Sequence, residues 1–165
     1  MKPEARSRRM AAVAPHPLAK LLECPAETGS LLNGSAQCID FEAGQVIFRQ
    51  SEISRGLYVV ISGLLQRRTE RQRTRLTLGP ARTGDLVELA AVLGDGRHTY
   101  TLRAQTEGSA LLLPMEAMNQ AFQAYPPLRM QLLEELAREV SRAYIVCCFS
   151  HAAGTRGREP GAATA

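Results

Sequence analysis

The sequence predicts a mainly β fold with flanking helices, an antiparallel β-roll of the jelly-roll kind followed by a long C-terminal dimerisation helix. Three observations predict it. Between Cys38 and Pro114, apolar and polar residues alternate in many short runs separated by turn residues, as in strands with one buried face. Near-regular spacing of such runs favours a closed or nearly closed roll, because closure removes exposed strand edges. After Pro114 the apolar period lengthens to about 3.6 residues, that of an amphipathic helix. Finally, 45% of the 165 residues are apolar, which suffices for the core of one domain.

The elements follow in order. Residues 1–15 mix Arg, Ala and Pro without periodicity and read as a disordered tail. Pro17 opens a short helical pattern of Leu18, Leu21 and Leu22, which Pro25 ends, and a polar, Gly-bearing linker leads to Cys38. "CIDFEAGQVIFRQ" reads as two strands joined at a turn around Gly44. "GLYVVISGLLQRRTE" and "RLTLGP" follow, joined through a polar tip at Arg71–Arg73, and "HTYTLRA" and "ALLLP" complete the roll. Met118, Ala121, Phe122 and Tyr125 then share one helical face, before Pro126 and Pro127 end that helix and start the next.

The last helix, 128–148, carries two apolar faces. Leu133, Leu136, Val140, Ala143 and Cys147 recur at alternating spacings of 3 and 4, a coiled-coil seam, while Leu128 and Leu132 lie off it. One face is expected to rest on the roll and the other to meet a second copy; the alternative is that both pack within one chain. The expected domain therefore spans 16–149, with the roll at 38–114 and helices at 115–149, and 150–165 reads as a second disordered tail.

Composition excludes several classes. No run approaches the roughly 18 apolar residues of a membrane span, and "MKPEARSRRM" leads into a Pro-interrupted stretch rather than a signal-peptide core, so a cytoplasmic protein without membrane contact is expected. Net charge is +4, with all but two basic residues arginine, which is weak evidence for nucleic acid. Cys24, Cys38, Cys147 and Cys148 form no CxxC pair, so free thiols are expected, with Cys147 able to meet its twin across a parallel dimer. The run "RRTERQRTR", with Arg67, Arg68, Arg71, Arg73 and Arg75, reads as a solvated hairpin that blunts an edge. No Ser/His/Asp or Cys/His arrangement is visible, and His98 is the single histidine in the roll, too few for a cupin-type metal site, so no catalysis and no metal are expected.

The informative stretch is "TGDLVELAAVLGDGRHTYTLRA", a loop longer than a turn requires. Gly84 lets the chain turn in with φ > 0, and a short helix over Glu88–Leu93 would present unpartnered N–H groups to a phosphate. Together with "FEAGQVIFRQSEISRGLYVVISGLLQ", and with Gly44, Tyr58, Gly63, Gly84, Asp85 and Glu88 in place, this order resembles the cyclic-nucleotide-binding domain of Crp/Fnr-type regulators over about 38–148. The resemblance implies a phosphate-binding cassette, cAMP or cGMP as ligand, and binding residues at Gly84, Glu88, Leu89, Ala90, Arg97, His98, Thr99 and Tyr144. Glu88 would accept from the ribose 2′-hydroxyl, and Tyr144 would stack on a base or pack.

Two positions depart from the family. Val87 stands where the family has a glycine before the glutamate, and His98 where it has the phosphate-binding arginine. A neutral imidazole offers one donor and no charge in place of a bidentate fork, a loss of about 2–5 kcal/mol. Cyclic-nucleotide binding is thus expected to be weak unless His98 is protonated or a one-residue slip points Arg97 inward. The residues after the long helix are too few for the family's helix-turn-helix, so no direct DNA-reading module is expected here. The reading is a non-catalytic sensor of a cyclic nucleotide or other small anion, homodimeric through its last helix. The alternative is a degenerate interaction module with Val87 and its neighbours filling the pocket.

Overall fold

The computed structural model describes residues 18–69 and 78–154, with 146–154 as helix backbone alone. Both terminal tails up to Pro17 and after Gly154, the arginines Arg71, Arg73 and Arg75, and the side chains of Cys147 and Cys148 lie outside the described residues. Among the described residues two short helices, α1 (Leu18–Leu21) and α2 (Ala26–Ser35), precede seven strands: β1 (Gln37–Phe41), β2 (Val46–Phe48), β3 (Gly56–Ser62), β4 (Leu65–Arg68), β5 (Leu86–Val87), β6 (Thr101–Ala104) and β7 (Gly108–Pro114). The helix α3 (Leu89–Leu93) sits between β5 and β6, and α4 (Met115–Ala124) and α5 (Pro127–Gly154) follow β7.

The antiparallel strands form two sheets, in the orders β1-β7-β3-β5 and β2-β6-β4. The strands flanking Gly44 are joined by a tight turn, Gln45 N–H to Glu42 O at 3.1 Å, yet they pair in different sheets, so the chain crosses the roll there instead of forming a hairpin. β3 and β7 are buried on both faces and alternate strictly. Tyr58, Val60, Ala110 and Leu112 enter the core between the sheets, with Phe41, Phe48, Leu65, Tyr100 and Leu102. Leu57, Val59, Leu111 and Leu113 face outward into a second core closed by the helices, where Leu32, Met118, Ala121, Leu128 and Leu132 pack on them. Period two thus serves two cores at once.

The segment expected to be a linker between Pro25 and Cys38 contains α2. Its two glycines and two serines suppress the propensity signal, but Gly29 has a tertiary reason: a Cβ there would lie 2.5 Å from the Ala19 Cβ. Close packing of α1 on α2 buries Leu18, Leu22 and Leu32 and compensates the weak propensity. At the other end α5 continues to Gly154, past the expected end near 149. Cys24 and Cys38 are free, and burial pushes both thiols above their ordinary range, with Asp40 adding to the effect at Cys38. Among the described residues no helix is long and apolar enough to cross a membrane, and no cluster of three or more potential metal ligands occurs.

α5 sorts its apolar residues differently from the expected seam. Leu128 and Leu132 are buried, and Leu136 packs against the same helical core instead of facing outward. Ala143 also turns inward, to a cavity described below. The exposed apolar stripe is Met130, Leu133, Ala137, Val140 and Tyr144, again at spacings of 3 and 4, displaced around the helix from the predicted one.

Candidate functional site

The cassette begins with a turn that the sequence builds locally. The Asp85 carboxylate accepts from Arg82 N–H at 2.8 Å, and Gly84 takes φ 90° in open space, so glycine is required there for conformation and not for room. β5 then pairs with β3, Val87 opposite Tyr58. Val87 is buried in the core between the sheets and does not line the cavity described below, the role that the alternative of a degenerate module gave it. The strain falls one residue later. Glu88 adopts φ 76°, a left-handed conformation that costs a non-glycine residue about 1–2 kcal/mol, and this turns its side chain into the protein.

There Glu88 meets His98. Glu88 Oε2 lies 2.8 Å from His98 Nδ1, with both side chains within 1% of complete burial. The Thr99 hydroxyl donates to Glu88 Oε1 at 3.4 Å. Phe48 stacks on the imidazole, ring centres 3.7 Å apart and planes within 4°. The backbone of His98 is fixed as well, its N–H donating to Glu52 O and its O accepting from Ser51 N–H. The two residues that the resemblance assigns to ribose and phosphate are therefore bonded to each other, out of reach of solvent.

A second chain of contacts leads from Glu88 to α5. The Glu88 N–H donates to the Tyr100 hydroxyl at 3.2 Å. Burial pushes the Tyr100 phenol far above its ordinary range, so the hydroxyl stays neutral and can accept. The Arg67 guanidinium lies over the Tyr100 ring, 5.6 Å from its centre, and forms an ion pair with Glu139 of α5. Arg67 is only 7% exposed, which corrects its reading as part of a solvated hairpin. Strand parity carries the signal that would have found it: Leu65 and Arg67 share the inward face of β4, and Gln66 and Arg68 the other. Nothing local marks Glu139, because its partner is 72 residues away.

Beside this chain lies a cavity of about 540 Å³. Its floor is Arg67, Gly84, Asp85 and Leu89, and α5 roofs it with Gln131, Leu132, Glu135 and Glu139. Of the residues expected to bind, Gly84 and Leu89 line it. Glu88 and His98 form a buried pair next to it, the exposed Thr99 reaches that pair through its hydroxyl, and Ala90 is half-buried on α3. Arg97 points away, exposed, donating to Ser51 O at 2.9 Å, so the one-residue slip is not adopted. Tyr144 is 62% exposed on the outer stripe of α5 and lies outside the cavity lining.

Comparison with known proteins agrees with this architecture. A family model for the cyclic nucleotide-binding domain matches residues 38–125, more than half of the chain. The HTH-type transcriptional regulator Cmr of Mycobacterium tuberculosis is 27% identical over 116 residues, 70% of this chain and 48% of that protein, so this chain spans about half the length of that curated relative. The sensor domain of the transcriptional regulator DNR from Pseudomonas aeruginosa matches with a TM-score of 0.62 at 21% identity, covering 77% of this chain and 85% of that one. The regulatory domain of Toxoplasma gondii PKA, co-crystallised with cAMP, gives 0.60 at 16% identity over 68% of this chain and 46% of that one. The chain belongs to the cyclic nucleotide-binding domain family, with Crp/Fnr-type regulators among its homologues.

Proposed function

We propose that the chain is a non-catalytic sensor domain that binds a small anionic ligand beside the cassette and passes the signal through α5, to transcriptional regulation or another signalling output. The observation that carries this reading is the position of the cavity. It is bounded by cassette residues Gly84 and Leu89 on one side and by α5 on the other, with the Arg67–Glu139 pair spanning the two. A ligand there contacts both, and it shifts α5 by as much as its affinity differs between two positions of the helix.

Cyclic nucleotide is bound weakly in this reading, because Glu88 and His98 must first part. Calorimetric titration of the chain with cAMP and with cGMP is expected to give dissociation constants of about 100 μM or weaker. Low-micromolar binding would show that the buried pair opens at little cost and that the site is an ordinary nucleotide pocket. The same pair supports the second reading, a degenerate domain kept for protein contacts, and no heat at millimolar nucleotide is the outcome that favours it.

The second copy is proposed to cover the stripe Met130, Leu133, Ala137, Val140 and Tyr144, whose 3 and 4 spacing suits knobs-into-holes packing. Val140 is 51% exposed, so Val140→Glu should fold normally and give a monomer by light scattering where the unchanged chain gives a dimer. A Val140→Glu mass equal to that of the parent chain removes the stripe from the reading. Leu136→Glu is no substitute test, since Leu136 packs on the core and the change would destabilise the fold.

A further inference from the structure

Among the described residues two buried side-chain atoms lack a hydrogen-bond partner, Arg67 Nε and Gln131 Oε1, and both residues line the same cavity. One is a donor and the other an acceptor, and a buried group of either kind left without a partner is costly. Gln131 stands eight residues before Glu139, the partner of Arg67, so the backbones of Gln131 and Glu139 are about 12 Å apart along α5 at about 1.5 Å per residue. Between them the walls are apolar, with Leu22, Leu78, Pro80, Leu89 and Leu132.

Charge narrows the ligand further. Arg67 faces Glu139, while the other two arginines of the lining, Arg138 and Arg142, are engaged with Glu135 at 3.0 and 4.0 Å. Asp85 and Glu23 add two more acids to the lining. A single negative charge can replace Glu139 on the Arg67 guanidinium, whereas a dianion would also meet the surrounding carboxylates.

We propose that this cavity binds an elongated amphiphilic carboxylate, its anionic end on Arg67 in place of Glu139 and a hydroxyl or amide N–H near its far end donated to Gln131. This rests on reading the domain as a sensor, and it names a ligand that bypasses Glu88 and His98. Release of Glu139 from Arg67 is then the event at α5. Saturated carboxylates of matching length are suitable probes, because the cavity supplies apolar walls between two polar ends.

The test is calorimetric titration of the full chain with ω-hydroxydecanoate, decanoate and decanol, each below its micellar concentration, with cAMP in parallel. ω-Hydroxydecanoate is expected to bind saturably about tenfold tighter than decanoate, and decanol at least tens of times more weakly than either acid. Gln131→Leu should remove the advantage of the hydroxyl and leave decanoate unchanged. Glu139→Gln, which takes the competing charge off Arg67, should tighten both acids several-fold. Arg67→Met should lose both, and the Glu139→Gln result decides if that variant does not fold. Equal binding of decanol and decanoate, equal weakening of both acids by Gln131→Leu, or no acid binding by folded chain would each overturn the proposal. Acid binding without cAMP heat leaves it standing while removing the nucleotide, and cAMP heat without acid binding does the reverse.

Discussion

His98→Ala is expected to lower the stability of the domain by about 3–5 kcal/mol, the cost of breaking a buried pair by removing one partner. The magnitude follows from what remains. The Glu88 side chain is fully buried, and without the imidazole it keeps only the Thr99 hydroxyl at 3.4 Å. Phe48 loses the ring stacked on it as well. In urea the midpoint should fall by at least about 1 M with an unchanged slope, since the slope follows the surface exposed on unfolding. Glu88→Gln should cost less, because an amide can still bond the imidazole. The double variant Glu88→Leu/His98→Phe should recover much of the loss by exchanging the pair for apolar volume. A single-variant loss below about 1 kcal/mol would mean that the pair is not closed in solution, and the expectation of weak nucleotide binding would go with it.

Glu139→Ala should cost about 3 kcal/mol, at the low end of that range because Glu139 is partly exposed while Arg67 is not. Its distribution over the molecule matters more than its size. The first part of α5 is held by Leu128 and Leu132 in the helical core, whereas beyond Leu132 every described residue is half-buried or exposed. The Arg67–Glu139 pair is therefore a main attachment of the outer part of the helix. Amide hydrogen exchange in Glu139→Ala should accelerate from about Glu135 onward while β3 and β7 keep their protection. Uniform acceleration would mean that the pair stabilises the fold as a whole and carries no separate coupling from cassette to helix.

Much of this molecule was legible before folding. The short apolar runs "GLYVVIS" and "ALLLP" bounded by turn residues, with the 3.6 period after Pro114, sufficed for a roll followed by helices, because strands buried on both faces read as continuous apolar runs and a buried helix stripe imposes its own period. The turn at Gly84 was legible for the same local reason. α2 was not, since close packing on Ala19 favours glycine where helix propensity disfavours it. The seam on α5 was read in part: Leu133 and Val140 are exposed as expected, whereas Leu136 packs on the core and Ala143 lines the cavity. Spacing is a property of one helix, but which side meets the roll is set by the other elements.

The candidate site divides along the same line. The sequence by itself pointed to the fold class, to the cassette with Glu88 in the family's place, and to Val87 and His98 as its unusual members. Only the tertiary structure decided that Glu88 and His98 satisfy each other's polar demand, that Val87 belongs to a core, and that Arg67 and Glu139 meet across 72 residues. Periodicity records whether a side chain is buried, whereas the partner of a buried polar group is chosen by whichever distant segment the fold brings within hydrogen-bond reach.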